Sequence, residues 1–462
     1  MLLDRLVGLA RDGWCSVFRR PESLNRALEH LTATPATLGR RTISRSLCVL
    51  DRASKDWSAD YKLFSRSPWA PEKLFDPVID GYLRWVPQGP IVVALDDTKI
   101  PKTGRRIPNA GWSRDPLSPP FRVNLLWGQR FLHAAAVIPA DPSRSIPPKA
   151  LPIRFTEVPW IKKPGKRATD QEWQVYRELK KEKNLSIDAV SMIRELRDQF
   201  DQRGAAERPL LIAADGSFCN KTVFRASFDR TILLARTRKD ARLCFPAPQP
   251  GRRVYAEQRF TPEQIRQDSS RPYQTTEVFC ATATWPVLYK EVTSVLWQRG
   301  AASRPLRLIV LAPTPYMTPK RRDYREPAYL LTNDLDTPAP VLIQAYFDRW
   351  QIEVCHREEK TDFGVGQAQV WSELAAPRHP PFVVACYALM NLAALDEFGR
   401  TRTDRYTALP KWRRPSARPS ALDLLSLLRR ELTLDLRPDN ETSGKLINHA
   451  ISAQNLIAYA CT

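Results

Sequence analysis

Glycine is scarce, with 17 in 462 residues, and none of it gathers into a phosphate-wrapping loop. That argues against a P-loop or dinucleotide-binding core, and so against a nucleotide cofactor, because both folds need glycine where backbone amides approach phosphate. The eight cysteines include no Cys-x-x-Cys pair and the five histidines are scattered. A structural zinc site therefore lacks a ligand framework, and the thiols read as reduced. Long hydrophobic runs are missing too: the longest, Phe382 to Leu395, is short of a bilayer span, holds Asn391 and reads as a buried helix. The first apolar pattern carries Asp4, Arg5, Arg11 and Asp12, unlike a secretory signal, so a cytoplasmic, nucleoid-associated protein is expected. Acid is in deficit, since 71 Lys and Arg against 50 Asp and Glu leave +21. The excess calls for a polyanionic partner, double-stranded DNA before an acidic membrane surface, for which no cationic amphipathic helix with aromatic anchors is present.

What is present divides along the chain. Residues 1–88 show helical periodicity in Leu2 to Leu9, Leu24 to Leu31 and Leu38 to Leu50. The last two would make either a helix-turn-helix carrying Arg40, Arg41 and Arg45 on its second helix or a plain bundle. At Pro90 the pattern becomes Ile-Val-Val-Ala-Leu followed by Asp96 and Asp97, a buried strand halting at carboxylates. A second such strand, Leu-Leu-Ile-Ala-Ala, stops at Asp215, with Gly216 expected to let the chain turn sharply. Between them Phe121 to Trp127 and Phe131 to Ile138 read as a hairpin around Gly128, Lys162 to Arg167 as an exposed basic loop, and Asp170 to Phe200 as one long helix. Residues 238–336 lose helical periodicity and read as short strands, among them Glu277 to Ala283, Leu306 to Leu311 and Tyr329 to Leu331.

The most informative stretch is Tyr346 to Lys360, free of Gly and Pro and preceded by a Pro-rich start, which predicts a helix. Tyr346, Arg349, Glu353, Arg357 and Lys360 fall on one stripe of it. A solvated charged face with intrahelical pairs is one reading of such a stripe. The other comes from its spacing: Tyr, two residues, Arg, three residues, Glu, six residues, Lys resembles the Tyr-Arg-Glu-Lys signature of bacterial insertion-sequence DDE transposases. Asp96 with Thr98 matches that family's Asp-x-Thr motif, with Asp97 the fallback.

The resemblance implies an α/β fold: a ribonuclease-H-like mixed sheet core interrupted by a mostly β insertion, with helical N- and C-terminal regions. The expected division is a helical DNA-binding region 1–88, core 89–237, insertion 238–336, core 337–375 with the Glu-bearing helix, and a helical, dimerising region 376–462. Cutting a phosphodiester calls for two divalent ions roughly 4 Å apart, and Mg²⁺ prefers a few carboxylate oxygens. Asp96, Asp215 and Glu353 are the expected catalytic ligands for two Mg²⁺, with Mn²⁺ as substitute. Tyr346, Arg349, Lys360 and Arg357 are expected on DNA, with Lys99, Lys102, Arg105 and Arg106 lining the same groove. Trp285 and Trp297 would pack in a core or stack on an unpaired base, and Lys320, Arg321, Arg322 and Arg325 would flank a DNA path. The family acts as a DNA-bound homodimer. A metal-dependent nuclease without joining and a non-catalytic DNA-binding protein are the alternatives.

Overall fold

The structure, a computed structural model, describes residues 1–435 apart from 116, 117, 120, 250–252, 318–321, 414 and 415. The chain opens with five α-helices: α1 (Leu2–Trp14), α2 (Pro21–Ala36), α3 (Ile43–Val49), α4 (Ser58–Ser65) and α5 (Asp76–Trp85). Each buries one apolar stripe, as Leu2, Leu3, Leu6, Ala10 and Trp14 do in α1. Arg40 and Arg41 precede α3 instead of lying on it, because Thr42 caps that helix by accepting the Arg45 N–H. Both arginines hold Gln367: Arg40 donates to its carbonyl and the Arg41 N–H to its side chain.

The sheet begins with β1 (Ile91–Pro101), β2 (Gly111–Arg114), β3 (Leu125–Ile138) and β4 (Lys149–Glu157). Helices α6 (Asp170–Glu182) and α7 (Leu185–Phe200) lead to β5 (Leu210–Ala214), and α8 (Lys221–Arg225) leads to β6 (Thr231–Arg236). β1 pairs antiparallel with β3 and parallel with β5, which pairs parallel with β6. With β4 outside β3, this is a ribonuclease-H-like order.

The structure corrects two local expectations here. The hairpin around Gly128 does not exist: β3 runs straight through it, and the partner strand is β4. Glycine is needed there for close approach, since a Cβ on Gly128 would collide with the Ile100 carbonyl. β4 was hidden by Pro152, which the sheet tolerates because β4 is an edge strand and slips register beside it. The long helix expected over Asp170 to Phe200 is two, broken at Lys183 where Asn184 caps α7.

The mostly β segment extends this same sheet. It comprises β7 (Leu243–Pro246), β8 (Tyr255–Phe260), α9 (Pro262–Gln267), β9 (Gln274–Cys280), β10 (Ala283–Leu296), α10 (Gln298–Ala301), β11 (Pro305–Leu311), β12 (Thr314–Met317), β13 (Arg322–Arg325) and β14 (Ala328–Thr332). β14 pairs with β6, so twelve strands join in one mixed sheet, and β12 with β13 forms a separate ribbon. The helices α11 (Ala339–Asp348), α12 (Gln351–Thr361), α13 (Ala375–Phe398) and α14 (Ala421–Asp435) complete the described chain. α13 is apolar and long enough to span a bilayer, but 83% of that window is buried inside the protein, as in a core helix. One hydrophobic core runs from α1 through the sheet to α13 and α14, and Glu431 accepts the free N–H groups of Leu2 and Leu3 at the start of α1.

Candidate active site

Parallel pairing of β1 with β5 ends at Leu95 opposite Ala214, so Asp96 and Asp215 follow side by side at one edge. β1 itself continues to Pro101, held by β3 alone, so Asp96 lies inside a strand and not at its end. Neighbouring strands are about 4.8 Å apart, which brings the two carboxylates into repulsive range. Burial first, and then the charge of Asp215, push Asp96 up to about 7, against the opposing pull of Arg349. Asp215 is held in a turn by the N–H and hydroxyl of Ser217, at 2.9 and 3.2 Å. Gly216 is not needed for that turn: a Cβ would meet only the Arg236 carbonyl, at an ordinary 3.5 Å.

The third acid arrives on α12. Glu353 is raised by burial and, further down, by Asp215, while Arg349 draws it back. Arg349 stands between the acids, with Nη2 3.3 Å from Glu353 Oε1 and Nη1 3.9 Å from Asp96 Oδ2. Lys360, on the same face of α12, lies in the field of Asp96 and Asp97, and burial lowers it. Asp97 has a different balance: burial raises it, and Arg130, then Lys99 and Lys360 among its cations, offset that. Asp96 is therefore the acid that shares Arg349 with Glu353.

α12 is seated by a buried polar group. His133, opposite Asp96 in the β1–β3 register, has its ring 4.9 Å from His356 and its Nε2 3.6 Å from Glu359 Oε1. Burial drives His133 well below and Glu359 well above their usual ranges, which favours the neutral form of each.

The single helix expected over Tyr346 to Lys360 is two. Arg349 and Trp350 separate α11 from α12, and the bonds there tighten to the i−3 type, from Trp350 to Phe347 and from Glu353 to Trp350. Tyr346 consequently belongs to α11, packed near Phe347 on the smaller core cluster. Arg357 is exposed on α12 between the Glu353 face and the opposite one. Lys99 donates to the Arg114 carbonyl and lies 6.0 Å from the Trp160 ring. Lys102 does not line a groove: it is buried and donates to the carbonyls of Gly366 and Ala368. The Arg105 guanidinium lies over the Trp112 and Trp127 rings.

Trp285 is 39% exposed on β10, its indole N–H on the Cys280 carbonyl, whereas Trp297 packs edge-on against Phe224. Lys320 and Arg321 lie outside the described residues, as does the Arg322 side chain, although its backbone belongs to β13. Sequence reading missed Arg130, hidden in a supposed turn, and Trp350, 55% exposed beside Arg349. The second could have been found: a Trp flanked by Arg349 and Gln351 in a strongly polar stretch is a surface signal.

The donor set at the edge is all carboxylate oxygen, as a hard divalent cation requires. Burial first, and then the charge of Asp215, raise Asp96 and Glu353, and Arg349 offsets this only in part. Among the described residues no three acidic, His or Cys side chains already stand around one point at ligating distance. The gap between Asp96 and Glu353 is where the Arg349 guanidinium sits.

No curated protein matches the chain. A family model described as DDE superfamily endonuclease matches residues 16–304, taking in Asp96 and Asp215 and ending before Glu353. Members of that family are nucleases that act on DNA with divalent metal ions. With that match over more than half of its length, the chain belongs to the DDE superfamily endonucleases.

Proposed function

We propose that this endonuclease is a cut-and-paste transposase of the Tyr-Arg-Glu-Lys branch, with Asp96, Asp215 and Glu353 as its metal ligands. The observation that supports the reading is Arg349, which reaches Asp96 on β1 and Glu353 on α12 at once, while Asp215 follows β5 beside Asp96. Two Mg²⁺ ions, or Mn²⁺ in their stead, would be held by these carboxylates and would supply a nucleophilic oxygen and neutralise the leaving one.

The chain's own groups do the rest. Arg349, released from the acids, forks onto a phosphate of the transposon end, while Lys360 adds a point charge and Tyr346 a hydroxyl. Lys99, Arg357, Arg321 and Arg322 contribute to the DNA path, and Trp285 is the better placed of the two tryptophans for an unpaired base. Water is the first nucleophile and the freed 3′-hydroxyl the second, attacking target DNA. Each member of a homodimer would bind one end, with residues 1–88 on the terminal inverted repeats.

The test is incubation of labelled DNA carrying the ends of the element that encodes the chain, with Mg²⁺ and a target duplex. End nicking followed by joined products is expected. Nicking without joining leaves the nuclease alone. Asp96→Asn, Asp215→Asn and Glu353→Gln should each lower cleavage by at least about 10³-fold while leaving DNA binding in place. Cleavage surviving any one substitution removes that residue from the ligand set.

A further inference from the structure

The face of α12 turned away from the acids borders a second site. Glu353, His356 and Lys360 lie on one side of the helix, and Gln351, Val354, Cys355 and Glu358 on the other. The latter four line a cavity of about 190 Å³ closed by the start of β4, by α13 and by the segment before α14. At about 30 Å³ per water that is roughly six waters, enough for a tetrahedral oxyanion with part of its shell.

Its walls are short of negative charge. Lys149, Arg357 and Arg418 face the cavity, and Glu358 is the one carboxylate among its lining residues. The Glu358 carboxylate is already engaged, accepting the Tyr387 hydroxyl at 2.7 Å. Arg418 donates to the Pro148 carbonyl and to Gln351 Oε1, both neutral acceptors, and the nearest opposing charge is the Glu358 carboxylate. The Lys149 ammonium makes no hydrogen bond or ion pair among the described residues. Burial, followed by the charge of Arg418, pulls it down to about 8 against the opposing pull of Glu358. Lys149, Arg357 and Arg418 thus share the single carboxylate of Glu358, and such an excess of positive charge around one cavity is costly to hold without a further anion.

We infer that this cavity is a phosphate site, in which an oxyanion is gripped by Lys149, Arg357 and Arg418 on the back of the helix that carries Glu353. The fork of Arg418 and the point charge of Lys149 are the two donor types that phosphate takes best. The phosphate is either free in solution or part of a DNA backbone. The inference does not rest on the transposase reading, because it needs neither metal nor cleavage.

Thermal denaturation of the full chain in EDTA, with orthophosphate against chloride at equal ionic strength, tests it. The wild type should show a saturable rise of about 2 to 4 °C specific to phosphate. Lys149→Met removes a half-buried cation that makes no hydrogen bond among the described residues, so it should fold with an unchanged or higher Tm in chloride and lose the phosphate increment. Duplex DNA binding measured against salt identifies the source. If a backbone phosphate fills the site, Lys149→Met lowers the slope of log K against log [salt] by about one and orthophosphate competes; if free phosphate fills it, the slope is unchanged. A wild type indifferent to phosphate together with an unchanged slope overturns the inference, as does a full phosphate increment in Lys149→Met.

Discussion

Arg349 donates from Nη2 to Oε1 of Glu353 across 3.3 Å, while its other terminal nitrogen stands 3.9 Å from Asp96. One guanidinium thus occupies the space that a shared cation would take, and it partly neutralises carboxylates that would otherwise repel. Arg349→Gln should destabilise the metal-free protein by about 2 kcal/mol, because two partly buried charges lose their partner. Adding Mg²⁺ should restore more stability to the variant than to the wild type, since the ion replaces the lost charge. Urea denaturation with EDTA and with Mg²⁺ measures both; an identical Mg²⁺ increment in the two proteins would mean that Arg349 and the ion do not share a place.

Metal affinity should follow the protonation of Asp96. A carboxyl raised to about 7 must lose its proton before it can ligate. At pH 8 it is mostly ionised and at pH 6 mostly protonated, so Mn²⁺ binding measured by calorimetry should weaken about tenfold over that interval. Asp215→Asn should both weaken Mn²⁺ and let Asp96 ionise at lower pH, because the neighbouring charge is gone. Affinity that stays flat between pH 6 and 8 would show that Asp96 is not a ligand.

Asp348, the residue before Arg349, predicts a stability effect that involves no metal. It is buried on α11, accepts a 2.8 Å bond from Gln344 and forms no ion pair among the described residues; burial raises it to about 7. The sign follows from linkage: the folded state holds the proton where the unfolded chain, near 3.8, has lost it. Stability is therefore lost as pH rises from about 4 to 7. Asp348→Asn keeps the acceptor for Gln344 and removes the charge. It should match the wild type near pH 4 and exceed it by on the order of 3 kcal/mol at pH 8, read from denaturant midpoints at the two values. An advantage that does not grow with pH would place the Asp348 proton elsewhere.

Much of this was legible in the chain, and the reasons differ from part to part. The two aspartate strands stood out because central parallel strands are apolar throughout and stop at polar residues. The Glu353 helix stood out by spacing alone. What sequence hid was local conflict between propensity and tertiary demand. Gly128 resembles a turn and is a point of close strand contact, and Pro152 resembles a break and is an edge residue. The kink at Arg349 and Trp350 had no helix breaker to announce it. Lys102 looked like a DNA contact because nothing in sequence reveals that its ammonium caps the carbonyls of residues 366 and 368.

The contact at Gly128 gives the sharpest test of how the site edge is held. Gly128 pairs with Pro101 of β1 on one side and with Gly111 of β2 on the other, two residues from the Arg130 that balances Asp97. A methyl at this position would run into the Ile100 carbonyl, which is backbone and cannot rotate aside. Relief requires β1 and β3 to separate where β1 has no other partner, beyond Leu95. Gly128→Ala should therefore cost about 3 kcal/mol and loosen the strand segment that carries Asp96, lowering Mn²⁺ affinity as well. Gly8 provides the contrast: it lies inside α1 with nothing within 4 Å of an added Cβ. Gly8→Ala should stabilise by about 0.5 to 1 kcal/mol through helix propensity and leave metal binding alone. Equal effects of the two substitutions on denaturant midpoint and Mn²⁺ affinity would show that the strand contact does not position the acids.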